Sequence, residues 1–254
     1  MEIITVAQRK GGTGKTATAL NLGAGLRRNG KRILFIDLDS QGNLTKNLRI
    51  NTERVKHSSF DVLTGSSTAE EAIVKTAEGD LIPASAELAA LDIQSITWNR
   101  KEYRLRDALE PIKGRYDVII LDTPPALGIS LINALTASQS AIIPCEARQG
   151  SLDGIEQLYG TIEAVQRRTN KDLKIRGIVV TRCKAQTILT RDMIENLRDA
   201  ASDLGTKLYD TQIRENTAIG EAESMRQSIF EYAPKSNGAI DYESLTQEIL
   251  REER

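Results

Sequence analysis

Histidine and cysteine are nearly missing from this sequence: 254 residues hold one His and two Cys. His57 has no His or Cys partner nearby in sequence, so an imidazole–thiolate metal centre is not expected and His57 is read as a surface-loop residue. Cys145 and Cys183 stand far apart, each behind an apolar strand-like run, and form no C-x-x-C pair. That pattern predicts buried free thiols in a reducing cytosol rather than a disulfide, and it argues against electron transfer or metal delivery through thiolates. Long apolar runs are missing too. No stretch approaches the length of a membrane span, and Met1-Glu2 leads directly into strand-like residues, so neither a transmembrane helix nor a signal peptide is expected. Neither sign of charge is in excess. With 34 Lys and Arg against 35 Asp and Glu, composition gives no signal of a nucleic-acid partner and leaves only a local basic face open. Linkers, repeats and low-complexity segments are also lacking, so residues 1–254 are expected to form one domain.

What is present is the stretch Gln8-Arg9-Lys10-Gly11-Gly12-Thr13-Gly14-Lys15-Thr16. Apolar-rich Ile3 to Ala7 reads as a buried strand before it, and Ala17 to Asn29 as a helix after it, with Gly30 as a C-cap. Strand, glycine-rich turn and Gly-Lys-Thr opening a helix is the context of a phosphate-binding loop. Glycines let successive N–H groups curl toward phosphate oxygens, and the helix N-terminus adds the positive end of its dipole. In that setting Lys15 reaches the terminal phosphates and the Thr16 hydroxyl holds a magnesium ion. The strict pattern G-x-x-x-x-G-K-[ST] fails, because Arg9 stands at its first glycine, and Lys10 adds a second cation at the loop entrance. A glycine-rich turn with incidental lysines is the competing reading.

Further strands are predicted at 32–37, 80–83, 116–121, 141–144, 175–180 and 207–209, their continuous apolar character suiting a parallel sheet covered on both faces. Helices are predicted at 68–75, capped by Thr68 with Glu71, and at 85–92, 100–109, 151–168, 190–204 and 237–251, the last with Ile240, Tyr242, Leu245 and Ile249 on its apolar face. Trp98 is read as a packing residue. Alternating strands and helices predict an α/β fold: one doubly wound, mostly parallel sheet with helices on both faces. The 32–37 strand ends in the polar loop Asp37 to Asn43, and the 116–121 strand delivers Asp122-Thr123-Pro124-Pro125. An acid directly after an apolar strand is the Walker B arrangement, its carboxylate holding magnesium directly or through water.

The loop Lys-Gly-Gly-x-Gly-Lys-Thr resembles the deviant Walker A motif of the ParA/MinD group of ATPases. The similarity to ParA/Soj-type partition ATPases covers nearly the whole chain, in order. Phe35-Ile-Asp-Leu-Asp-Ser-Gln-Gly-Asn43 resembles the family's switch segment, and Leu121 to Pro125 with Asn133 to Ala137 its Walker B region. Ile213 to Asn216 falls where the family has Ile-Pro-Arg-Asn at the adenine edge, and Tyr232 to Ser236 with Gly238-Ala239 matches its approach to the final helix. The resemblance implies that Gly11, Gly12, Thr13, Gly14, Lys15, Thr16 and Ala17 wrap the phosphates. It implies magnesium at Thr16 with Asp37 and Asp122, attacking water oriented by Asp39, adenine near Arg214 and Asn216, and Lys10 reaching the partner's nucleotide across an ATP-dependent homodimer. ATP and Mg2+ are the implied ligands. The implied output is DNA segregation: non-specific DNA binding, hydrolysis stimulated by a ParB-like centromere-binding or cargo-adaptor protein, and a cytoplasmic, nucleoid-associated location.

Departures from the family pattern bear on those expectations. Ser40 replaces the switch proline, Ala17 a frequent second threonine, and Arg214-Glu215 the Pro-Arg of the adenine edge. Gln186 and Ala218 stand where the family commonly has arginine for DNA. Arg182, Lys184, Arg191, Arg214 and Arg226 remain as candidate phosphate contacts, an ordinary solvated surface being the alternative. The first strand begins at the start of the sequence, so an N-terminal helix-turn-helix domain is not expected. A MinD-like membrane-surface ATPase needs a basic amphipathic tail, and Glu248 to Arg254 is mixed in charge. Positioning of a protein cargo is a further alternative, while a small-molecule kinase or ligase finds no acceptor-site signature here.

Overall fold

The computed structural model describes residues 1–148, 150–184 and 188–252. Among them, seven strands form one sheet: β1 (Glu2–Val6), β2 (Ile33–Asp37), β3 (Val74–Thr76), β4 (Gly79–Ile82), β5 (Val118–Asp122), β6 (Ser140–Glu146) and β7 (Lys174–Thr181). Their spatial order is β3-β4-β2-β5-β1-β6-β7, and every neighbouring pair is parallel except β3 with β4. From β1 the chain runs through α1 (Lys15–Arg28) out to β2, returns to β5, then crosses to β6 on the other side of β1. The winding direction thus reverses around β1, and the carboxyl ends of β1, β2 and β5 open on the crevice where ligands of such sheets bind.

Both sheet faces are dry, which is why the strands read as unbroken apolar runs. Ile33, Phe35, Val118 and Ile120 face α1 and the helix Asn237–Arg251, while Leu34, Ile36, Ile119 and Leu121 face the helices Ser59–Thr64, Arg104–Leu109 and Ile129–Ala137. Ile143, Ile178 and Val180 pack under the helix Ser151–Arg168. α1 lies so close to β2 that a Cβ at Gly23 would meet the Phe35 ring at 2.2 Å. Cys145 and Cys183 are free and buried, and burial pushes the Cys145 thiol up to about 12.

The expected doubly wound α/β sheet is present, and the helices 151–168 and 237–251 run over the expected residues. Several local expectations are corrected. The capping box of Thr68 and Glu71 exists, but its helix stops at Ala72 and Val74–Thr76 forms the antiparallel edge strand β3. Residues 207–209 contribute only an isolated bridge, Ile178 with Leu208. The 85–92 and 100–109 helices begin as 3-10 turns. Ile240 is 52% exposed; Tyr242, Leu245 and Ile249 alone of the four face the core. Trp98 does pack against the core, under the Arg104 guanidinium 5.2 Å away.

Candidate functional site

The loop from Gln8 to Lys15 leaves the carboxyl end of β1 and folds over the N-terminus of α1. Gly12 and Gly14 adopt φ of 76° and 79°, a left-handed conformation that side-chain-bearing residues resist. Cβ atoms at Gly11 and Gly12 would meet only open space, so the loop's outer wall is an empty cradle. Thr181, at the end of β7, clamps the loop from behind by donating its hydroxyl to Thr13 O at 2.9 Å. The two loop lysines occupy opposite settings. Lys15 is 8% exposed and its Nζ donates to Lys10 O at 3.3 Å, whereas the Lys10 side chain is exposed. Burial lowers the Lys15 pKa, with Asp122 and Asp39 pulling it back up.

Two acids sit side by side beneath the loop, because Asp37 and Asp122 are register partners at the ends of β2 and β5. Asp37 accepts from Thr45 N and Oγ1, at 2.8 and 2.7 Å, and from Asp39 N at 3.1 Å. Asp122 Oδ2 accepts from Thr16 Oγ1 at 2.7 Å, while its Oδ1 is buried with no hydrogen-bond partner among the described residues. Burial raises the pKa of both. At Asp122 the charges of Asp37 and Asp39 add to the rise, while the Thr16 hydrogen bond and Lys15 oppose it. At Asp37 the hydrogen bonds from Thr45 and Asp39 N oppose a rise to which the Asp39 charge adds. A pair of buried acids with an orphaned oxygen and an adjacent hydroxyl is a hard-oxygen donor set short of one cation, and magnesium fits it. Asp39 lies farther out, half-buried, its Oδ1 accepting from Gln41 N at 3.0 Å.

A cleft of about 750 Å³ runs between the loop and Asp39. It is lined by Gly11, Gly12 and Gly14 to Ala17 on one side, Asp39 to Gln41 and Pro124 to Ala126 on another, and Arg182, Gly220 and Glu223 across from them. A smaller cavity of about 280 Å³ adjoins it, walled by Ile213, Ile219 and Tyr242 with the 214–217 segment. Asn216 borders that cavity and also caps the helix Thr217–Ser224, its Oδ1 accepting from Ala218 N at 2.9 Å.

The basic residues expected as phosphate contacts stand in different settings. Arg182 is in the wall of the cleft and borders the smaller cavity as well. Arg214 borders the smaller cavity, but its guanidinium grips Asp241, with Nη2 at 2.6 Å and Nε at 3.0 Å. Lys184 lies 3.7 Å from Glu215, Arg191 is exposed at the start of the helix Ile188–Asp203, and Arg226 is exposed with φ 57°. Gln186 lies outside the described residues, and Ala218 is in the first turn of the helix Thr217–Ser224. Thr45, Thr181 and Glu223 were not readable as site residues, since each reaches the site only through tertiary packing of a distant segment.

Sheet order, loop and carboxyl-edge acids together define a P-loop nucleoside triphosphatase fold. Residues 1–175 match the family described as "AAA domain". The sporulation initiation inhibitor protein Soj of Bacillus subtilis is 40% identical over 250 residues, covering 98% of each chain. The chromosome partitioning protein ParA of Caulobacter vibrioides is 36% identical over 258 residues, covering all of this chain and 96% of its own. Among solved structures, cobyrinic acid a,c-diamide synthase from Mycobacterium smegmatis with bound ADP and magnesium superposes with a TM-score of 0.84 at 32% identity, over 99% of this chain and 94% of that one. The chain belongs to the ParA/Soj family of partition ATPases.

Proposed function

We propose that this protein is an ATP- and magnesium-dependent partition ATPase that dimerises on ATP, binds DNA without sequence preference in the dimeric state, and hydrolyses ATP when a ParB-like centromere-binding or cargo-adaptor protein stimulates it. The observation that carries this reading is the pair of loop lysines, one folded under the loop and one turned outward from it. Lys15 neutralises phosphate charge within its own site. Lys10 has no such task there, and in a face-to-face dimer it reaches the nucleotide of the partner.

Phosphoryl transfer to water asks the protein for positioning and charge, not for covalent chemistry. Loop amides from Gly11 to Ala17 cradle the phosphates. Thr16, Asp122 and Asp37 hold the magnesium ion, which supplies neutralisation of the β- and γ-phosphate charge. Asp39, beyond that pair and at the cleft wall, orients the attacking water. Ile213, Ile219 and Asn216 receive the adenine, while Arg214 serves chiefly to fix that wall through Asp241.

DNA rather than a membrane is the favoured surface. The C-terminal helix has Tyr242, Leu245 and Ile249 packed in the core and leaves only Ile240 as an exposed large apolar side chain among its described residues, too little for a broad apolar face to lay on lipid. Among the described residues no helix is long and apolar enough to cross a membrane. Lys184, Arg191 and Arg226 are the remaining candidates for phosphate contacts, acting by counterion release. Cosedimentation with duplex DNA and with anionic liposomes, in ATP, a non-hydrolysable analogue and no nucleotide, tests the proposal. Salt-sensitive DNA binding only with ATP or the analogue is expected; equal DNA binding without nucleotide, or binding to liposomes alone, contradicts it.

A further inference from the structure

We propose that Glu223 accepts the ribose hydroxyls of the bound nucleotide and that Arg182 positions its carboxylate, an inference that rests on the nucleotide reading of the cleft. A nucleoside triphosphate is a linear sequence of phosphates, sugar and base. Two compartments that hold its ends must therefore meet at the sugar. The larger cavity contains the phosphate loop, and the smaller presents the apolar walls of Ile213, Ile219 and Tyr242 to a base. Five residues border both: Gly14, Ala17, Gly220, Arg182 and Glu223. Three of them carry a methyl group or less, so the polar side chains at the junction are those of Arg182 and Glu223.

A carboxylate in a triphosphate cleft repels its ligand unless hydrogen-bond donors face it. The vicinal hydroxyls of ribose are two O–H donors, and an ionised carboxylate has two acceptor oxygens to match them. Glu223 sits half-buried, where burial raises its pKa and the positive charge of Arg182 opposes that rise. Arg182 therefore favours the ionised, acceptor form. Its own backbone is strained, at φ 48°, the kind of cost that persists where surrounding structure demands a side chain in one place. Its guanidinium is only loosely held from behind, 3.6 Å from Glu146, whose other oxygen is taken by Arg148 at 2.7 Å. The guanidinium is thus available to the junction.

Calorimetric titration with ATP and with 2′,3′-dideoxy-ATP, in magnesium, tests the assignment. The parent protein is expected to prefer ATP by about tenfold or more, the discrimination typical of a site built to pair with a hydroxyl. Glu223→Ala should reduce that ratio to about one by losing affinity for ATP and not for the dideoxy analogue, with the isosteric Glu223→Gln in between. Arg182→Ala should also lower the ratio and Arg182→Lys restore it, a pattern that general damage to the cleft does not produce. Equal affinities in the parent, or an undiminished preference in Glu223→Ala, overturn the assignment while leaving the nucleotide reading intact. A parent that binds neither nucleotide overturns both. Should Glu223→Ala fail to fold, the Glu223→Gln ratio and the parent comparison decide the question alone.

Discussion

The hydroxyl of Thr16 donates to Asp122 Oδ2 at 2.7 Å and leaves Oδ1 of the same carboxylate buried and unpartnered among the described residues. Thr16 follows the glycine loop and Asp122 closes a strand 106 residues later, so the bond ties the phosphate loop to the acid edge of the sheet. With Asp37 beside it, Asp122 is held ready for a divalent cation. Asp122→Asn keeps the shape and removes the charge. It should abolish most of the magnesium dependence of ATP affinity, an effect of about tenfold or more. Titrations with and without magnesium check this, and an unchanged magnesium dependence contradicts the ligand set.

Lys15→Ala removes the one cation buried under the loop. Truncating one partner of a buried charged pair costs affinity heavily, so ATP binding should weaken by about a hundredfold or more. Calorimetry that finds parental affinity in Lys15→Ala would show that the phosphates lie elsewhere.

Asp39 touches the loop that carries it and lines the cleft without belonging to the buried acid pair. Asp39→Ala should therefore bind ATP within about threefold of the parent and lose turnover by about a hundredfold, the range of a positioned group in proton or water handling. Filter binding together with phosphate release separates the two effects. Parental turnover in this variant removes Asp39 from the reaction.

Gly23 is a packing glycine. Alanine there gains about 0.5–1 kcal/mol of helix propensity. Against that, its Cβ meets the fully buried Phe35 ring at 2.2 Å, and overpacking of a tight core costs about 1–3 kcal/mol. The clash wins because an aromatic ring in that position has no open space to enter. Gly23→Ala should lower stability by about 1–2 kcal/mol in urea unfolding, and a stabilised variant would show that α1 can lift from β2 at no cost.

Much of this architecture could be read in the sequence because its strands are buried on both sides. Ile33 to Ile36 and Val118 to Leu121 have no solvent face, so their apolar runs are continuous and unmistakable. The phosphate loop was legible for a related reason: glycines at left-handed positions and a lysine at a helix start are local chemistry written in consecutive residues. β3 was not legible, since three residues of an edge strand carry too little alternation to outweigh the capping box just before them. Arg182 and Glu223 were illegible as neighbours because a turn at φ 48° and the docking of a separate helix bring them together. Asn216 was found by motif, but its bond to Ala218 N is a helix cap that the motif alone does not distinguish from a ligand contact.

Lys10 separates this reading from that of an ordinary P-loop enzyme acting alone. Its side chain is exposed while only its carbonyl serves the local site, accepting from Lys15 and from Thr13 Oγ1 at 3.3 Å each. Two cations at one loop repel each other until triphosphate charge lies between them, and in the proposed dimer the outward lysine meets a second nucleotide. Light scattering of Lys10→Ala with ATP and magnesium is the most direct measurement. The parent should pass from monomer to dimer on adding ATP, and Lys10→Ala should bind ATP with nearly parental affinity yet stay monomeric. A Lys10→Ala protein that dimerises on ATP as the parent does would show that this lysine acts within its own chain.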